Sequence, residues 1–129
     1  MGRRRPAFAA FAALLALAPC QAPAQALSTT DLSIAALGTG VVQCVPPDTR
    51  RRTLYLENAG TTNTIAYCVA VPNSTCTPSA NAAGSSTLSP ATATSQGGTA
   101  WWPSGSAPIG PLFCVAGGSS SPVTIRSEQ

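Results

Sequence analysis

Glycine and proline interrupt this chain so often that a long helix has little room to form. Eleven glycines and twelve prolines occur in 129 residues, and after residue 26 no window keeps apolar residues at helical spacing over three turns. Short alternating runs bounded by turn-forming residues recur instead, and this pattern indicates β-strands. The sequence predicts strands at Val41–Val45, Thr53–Glu57, Thr64–Val71, Ser86–Leu88, Gly98–Trp102, Pro111–Ala116 and Val123–Arg126. Six or seven such strands favour a small antiparallel β-sandwich.

The N-terminus has the three parts of a cleavable signal peptide. Arg3–Arg5 form a basic region, Ala7–Ala18 is an unbroken apolar run, and Ala24–Ala26 supplies small residues around a cleavage site after Ala26. The apolar run is shorter than the roughly 20 residues that a membrane-spanning helix needs. We therefore expect residues 1–26 to direct Sec-type export and the mature chain to contain no membrane span.

Cys20 raises the alternative of an outer-membrane lipoprotein, in which this cysteine carries the lipid. Pro19 stands where the lipoprotein peptidase takes glycine, alanine or serine, so lipidation is the disfavoured alternative. Export of a bacterial protein to the periplasm or the extracellular medium is the prediction that we retain.

Four cysteines remain beyond the leader, and an even number in a small exported domain predicts two disulfide bonds. Four cysteines allow three pairings, and the sequence alone does not choose among them. We favour Cys68 with Cys76, because the residues between them can form a tight hairpin around Pro72-Asn73. Cys44 would then pair with Cys114. Few large side chains are available for a core, so these cross-links are expected to be needed for stability.

Removing the leader leaves about 100 residues, which is the size of a single domain. We predict an N-terminal extension at 27–40 and a β-sandwich domain at 41–129. The formal charge of +3 belongs to the leader, since four arginines and four carboxylates remain after it. A nearly neutral chain has no basic field to attract nucleic acid, so no nucleic-acid partner is expected.

Side chains that commonly perform catalysis are scarce. The chain has neither histidine nor lysine, and its four acidic residues are scattered. The usual general bases and Schiff-base nucleophiles are therefore missing. We predict that the protein is not an enzyme and uses no cofactor, and that its oxidised thiols leave no metal site.

Two short motifs are candidate binding residues. Arg50-Arg51-Arg52 could hold a phosphate or sulfate, although a solvated turn beside Asp48, with arginine stems covering the sheet edge, is the favoured interpretation. Trp101-Trp102 could stack on a sugar. Successive strand residues point to opposite faces, so we expect one tryptophan in the core and the other exposed.

The segment Arg52–Gly60, followed by Thr64–Tyr67, resembles the opening of small β-sandwich proteins found among phage-encoded virion components. In those proteins an arginine starts a strand that ends in an asparagine and a turn, and the next strand pairs back onto it. Later segments follow in a similar order, so the likeness spans about residues 52–126. The resemblance implies a module that works by surface contact, and this chain differs by its export signal and its four cysteines.

An exported, non-enzymatic structural or surface-interaction module is the leading hypothesis, with a protein or glycan surface as its partner. Self-association through edge strands is compatible with this role. One alternative is a carbohydrate-binding module that uses Trp101 or Trp102. Another is a small disulfide-linked protease inhibitor that presents Thr77–Gln96 as an exposed loop.

Overall fold

The computed structural model describes residues 28–129, which form an all-β protein of nine strands. The strands are β1 (Thr29–Asp31), β2 (Ile34–Leu37), β3 (Val42–Val45), β4 (Thr53–Asn58), β5 (Ile65–Val69), β6 (Ser85–Leu88), β7 (Thr99–Trp102), β8 (Leu112–Ala116) and β9 (Ser121–Glu128). This part of the chain contains no helix that could cross a membrane. The predicted leader, Cys20 included, lies outside the described residues.

All pairings between these strands are antiparallel, and they divide the strands into two sheets. The five-stranded sheet has the order β1-β9-β4-β7, with β2 also paired to β9, and the four-stranded sheet has the order β3-β8-β5-β6. β1 pairs with the C-terminal end of β9, and β2 pairs with its N-terminal end. The predicted small antiparallel fold with two disulfide bonds is confirmed.

The number of strands is higher than predicted, because β1 and β2 lie within 27–40, where we expected only an extension. Their sequences Thr-Thr-Asp and Ile-Ala-Ala-Leu show no alternating apolar face, so they carry no strand signal of their own. Pairing with β9 is what makes them strands. Each of the seven predicted strands is present with shifted ends. The run Thr64–Val71 shortens to β5 because the chain turns at Pro72-Asn73.

One hydrophobic core lies between the two sheets and is built from the inward-facing residue at every second position. Leu54 and Leu56 of β4 are fully buried and face this core. Residues of the neighbouring strands face it too. Its other fully buried large apolar side chains are Leu37, Val45, Ile65, Leu88, Leu112, Val123 and Ile125. Tyr67 of the four-stranded sheet meets Trp102 of the five-stranded sheet edge to face, with ring centroids 5.9 Å apart.

The predicted pairing of Cys44 with Cys114 is confirmed, with the two Cα atoms 5.7 Å apart. This bond joins the edge strand β3 to β8. The register between these strands shifts between Gln43 and Val45, so Cys44 is the extra residue of a β-bulge. Both cysteine side chains are buried.

The predicted pairing of Cys68 with Cys76 is also confirmed. The loop between them contains the expected turn, in which the amide of Ser74 donates to the carbonyl oxygen of Val71 at 3.1 Å. Asn73 has a φ of 65° there, a conformation that asparagine tolerates better than most residues. Two disulfide bonds are compatible with an oxidising, exported location.

Candidate ligand-binding face

The side of the five-stranded sheet that points away from the core carries an open groove of about 610 Å³. We call this side the outer face. Side chains from β1, β4, β7 and β9 line the groove, since alternate residues of each strand point outward. The lining residues are Thr29, Thr53, Tyr55, Glu57, Trp101, Arg126 and Glu128.

Trp101 is the large apolar side chain of the groove and is 66% exposed. It lies directly opposite Tyr55 of β4, whereas Trp102 lies opposite the buried Leu54 and packs partly against the core. The prediction of one core tryptophan and one exposed tryptophan is therefore confirmed. The pairing with β4 decides which one is exposed, because Trp101 shares the outward side of Tyr55.

Hydrogen bonds within the outer face hold in place the two carboxylates that line the groove. The hydroxyl of Tyr55 donates to Oε2 of Glu57 at 2.8 Å, and the hydroxyl of Thr53 donates to Oε2 of Glu128 at 2.9 Å. Each carboxylate therefore has a defined position and keeps a second oxygen that can accept a hydrogen bond from a ligand.

Arg126 lies next to Tyr55 in the register, with Asp31 on its other side. Within residues 28–129 its guanidinium takes no part in an ion pair, since the close pair in that range is Arg50 with Asp48 at 3.9 Å. The pKa of Asp31 is lowered mainly by its hydrogen bonds with Ser33, and the positive charge of Arg126 contributes less. Arg126 thus presents planar donors to solvent at the middle of the face.

The hydrogen bond between Tyr55 and Glu57 predicts a measurable titration. Burial raises the pKa of the Tyr55 phenol, and both the hydrogen bond to Glu57 and the charge of that carboxylate raise it further. We expect Glu57→Gln to move the pKa of Tyr55 down toward the ordinary tyrosine value of about 10 without reaching it, because the burial remains. An NMR titration of the assigned Tyr55 ring signals measures this.

The sign of the accompanying stability change follows from the direction of the shift. A pKa raised by folding means that the folded state favours the protonated phenol, so this contribution is present below about pH 10 and is lost as the pH rises through the folded pKa. Equal Tyr55 pKa values in the original protein and the Glu57→Gln variant would show that the carboxylate does not act on the phenol.

The arginine run does not form a common site. Arg51 is buried and donates to the carbonyl oxygens of Pro46, Pro108 and Gly110, while Arg50, in the turn before it, and Arg52, just before β4, are exposed to solvent. The expectation of a solvated turn is therefore wrong at Arg51. The loops around it contain carbonyl groups that form no hydrogen bonds to a neighbouring strand. The guanidinium of Arg51 donates hydrogen bonds to them. Burial lowers the pKa of Arg51.

The segment Thr77–Gln96, which an inhibitor was expected to present as an exposed loop, contains the short strand predicted at Ser86–Leu88. Its middle part is β6, which pairs with β5 at the edge of the four-stranded sheet. Pro78 and Leu88 are buried, so this segment is divided into two shorter loops on either side of a strand.

Sequence reasoning missed the polar and aromatic neighbours of Trp101. Alternation within Thr53–Glu57 places Tyr55 and Glu57 on one side of a strand, and this signal was available. Their approach to Trp101 and Arg126 depends on the order of β9, β4 and β7 in the sheet, which local sequence patterns do not specify.

No group of three or more His, Cys, Asp or Glu side chains placed to hold a metal ion occurs in the 28–129 range. Comparison of the chain with protein-family models, with curated proteins and with solved structures finds no match. What the outer face offers chemically is a pair of aromatic rings beside hydrogen-bonding groups of both kinds.

Proposed function

We propose that the protein is an exported, non-enzymatic surface-interaction module that binds its ligand with the outer face of the five-stranded sheet. The observation that supports this most is the 66% exposure of Trp101 within a groove lined by polar side chains. An indole left in water gains free energy when a partner covers it, and tryptophan is enriched among the residues that dominate binding.

The outward side of the four-stranded sheet offers less to a partner. In β5, one of its two central strands, Ile65 and Tyr67 face the core, so Ala66 and Cys68 point away from it, yet both are buried. Cys68 is bonded to Cys76 of the following loop, which fixes that loop to this side of the sheet. The five-stranded sheet therefore has the more accessible of the two faces, and its strands provide a rigid support for the binding side chains.

The test is co-sedimentation of the purified protein with insoluble bacterial cell envelopes. We expect the protein to sediment with the envelopes and Trp101→Ala to weaken the interaction by about thirtyfold, the effect of truncating an aromatic residue at the centre of an interface. Thr87→Ala is the matched control, since Thr87 is exposed on β6 in the other sheet and should sediment like the original protein.

Two results would overturn the proposal. One is that the original protein stays in solution with every envelope preparation. The other is that Trp101→Ala and Thr87→Ala sediment equally well. Thermal unfolding of both variants checks that they are folded, and an exposed side chain such as Trp101 is expected to change stability little.

A further inference from the structure

The two aromatic residues of the outer face stand opposite each other on neighbouring strands. Trp101 of β7 and Tyr55 of β4 are direct partners in the register, which places their Cβ atoms about 5 Å apart. Neighbouring strands are spaced by about 4.8 Å, close to the length of one sugar unit in an extended glycan. Two rings on a sheet form a platform rather than the enclosing cage that binds a quaternary ammonium group.

The polar groups beside the platform match the hydroxyl groups of a sugar. A hydroxyl group both donates and accepts. Glu57 and Glu128 each have a carboxylate oxygen beyond the one bonded to Tyr55 or Thr53, and these oxygens accept. Arg126 donates, so acceptors and donors lie within one groove.

The charges of the face disfavour ionic ligands of either sign. Glu57 and Glu128 line the groove against a single cation, Arg126, and Asp31 lies beside that arginine on β1. This excess of negative charge repels acidic polysaccharides. A cationic peptide that covers Tyr55 would meet Arg126 at the neighbouring position of β9. A neutral ligand rich in hydroxyl groups avoids both penalties.

We infer that the outer face binds a neutral, extended carbohydrate chain, with successive sugar rings stacked on Trp101 and Tyr55 and hydroxyl groups held by Glu57, Glu128 and Arg126. This inference rests on the proposed function and names the ligand class of the same face. β7 is an edge strand of the sheet, so a chain that crosses the strands can extend past Trp101 without meeting another strand.

The experiment is a titration of the purified protein with four soluble probes, followed by tryptophan fluorescence and calorimetry. Cellohexaose and the hexamer of N-acetylglucosamine are neutral, polygalacturonate is anionic, and hexalysine is cationic. We expect a saturable change in emission with at least one neutral oligosaccharide and little dependence on salt, because no net charge is neutralised. Trp102 is partly buried, so the change reports mainly on Trp101.

Matched variants separate stacking from hydrogen bonding. Trp101→Ala should weaken neutral oligosaccharide binding by about thirtyfold. Tyr55→Ala should weaken it as well, whereas Tyr55→Phe retains the ring and should lose far less. Thr87→Ala, on the other sheet, should bind like the original protein.

The outcomes distinguish the two proposals. If envelope sedimentation depends on Trp101 but no neutral oligosaccharide binds, the carbohydrate inference is wrong and the proposed function stands. Preferential binding of polygalacturonate or of hexalysine also contradicts the inference, as does neutral oligosaccharide binding that Trp101→Ala leaves unchanged. If envelope sedimentation fails as well, both proposals are wrong.

Discussion

Cys44→Ala/Cys114→Ala is expected to lower the free energy of unfolding by about 4 kcal/mol, because the bond closes a long loop whose constraint on the unfolded chain is then lost. The two cysteines are 70 residues apart in sequence. Domains have a total stability of about 5–15 kcal/mol, so this loss is a large share of it. In a domain of about 100 residues, a loss of this size lowers the melting temperature by about 15–30 °C. Urea denaturation followed by circular dichroism measures the change.

The second disulfide bond provides the control for this prediction. Cys68 and Cys76 are only 8 residues apart, and loop closure over so short a segment accounts for about 2.5 kcal/mol. Cys68→Ala/Cys76→Ala should therefore be the more stable of the two variants. If it unfolds at the same or a lower urea concentration, the length of the closed loop does not determine what these bonds contribute.

Period-two alternation predicted the central strands because their apolar residues face the core and their polar residues face outward at alternate positions. In β4 the side chains of Leu54 and Leu56 fill the core while Tyr55 and Glu57 point outward, and this is the pattern visible in the sequence. β1 and β2 could not be found this way. β1 is polar, and the apolar Ile34 and Leu37 of β2 are three residues apart, so neither strand shows a period of two. Hydrogen bonding to β9, distant in sequence, makes both extended.

The candidate site was predictable only in part. Alternation indicated that one tryptophan is exposed, but its identity follows from the pairing of Trp102 with the buried Leu54. The neighbours of Trp101 come from strands far apart in the chain, so composition and local sequence pattern do not predict them. The burial of Arg51 is likewise nonlocal, since two of its three acceptors lie more than fifty residues away.

Asn58 is fully buried at the end of β4 and joins the two sheets by hydrogen bonds of its side chain. Its Nδ2 group donates to the carbonyl oxygens of Asn63 at 2.8 Å and Leu88 at 3.0 Å, and its Oδ1 accepts from the amide of Gly60 at 3.0 Å. Leu88 ends β6 in the four-stranded sheet. The chain also packs closely here, since a Cβ atom on Gly97 would overlap the carbonyl oxygen of Asn58.

Asn58→Asp is expected to destabilise the protein by about 3 kcal/mol at neutral pH, because an acceptor oxygen replaces the donor and faces two carbonyl oxygens. Burial and the two facing carbonyl oxygens raise the pKa of this new carboxyl above its unfolded value of about 3.9, and the single amide donor, from Gly60, does not offset them. The loss is therefore smallest below about pH 4, where the carboxyl is protonated in both states, and it grows as the pH rises toward the folded pKa.

Urea denaturation of Asn58→Asp at acidic and at neutral pH tests both the size and the sign of this effect. Asn73→Asp is the matched control, because Asn73 is exposed in a turn and aspartate tolerates its positive φ. The control should stay within about 0.5 kcal/mol of the original protein. Equal stability of the two variants, or a loss in Asn58→Asp that does not change with pH, would show that the Asn58 amide does not hold the sheets together as its contacts indicate.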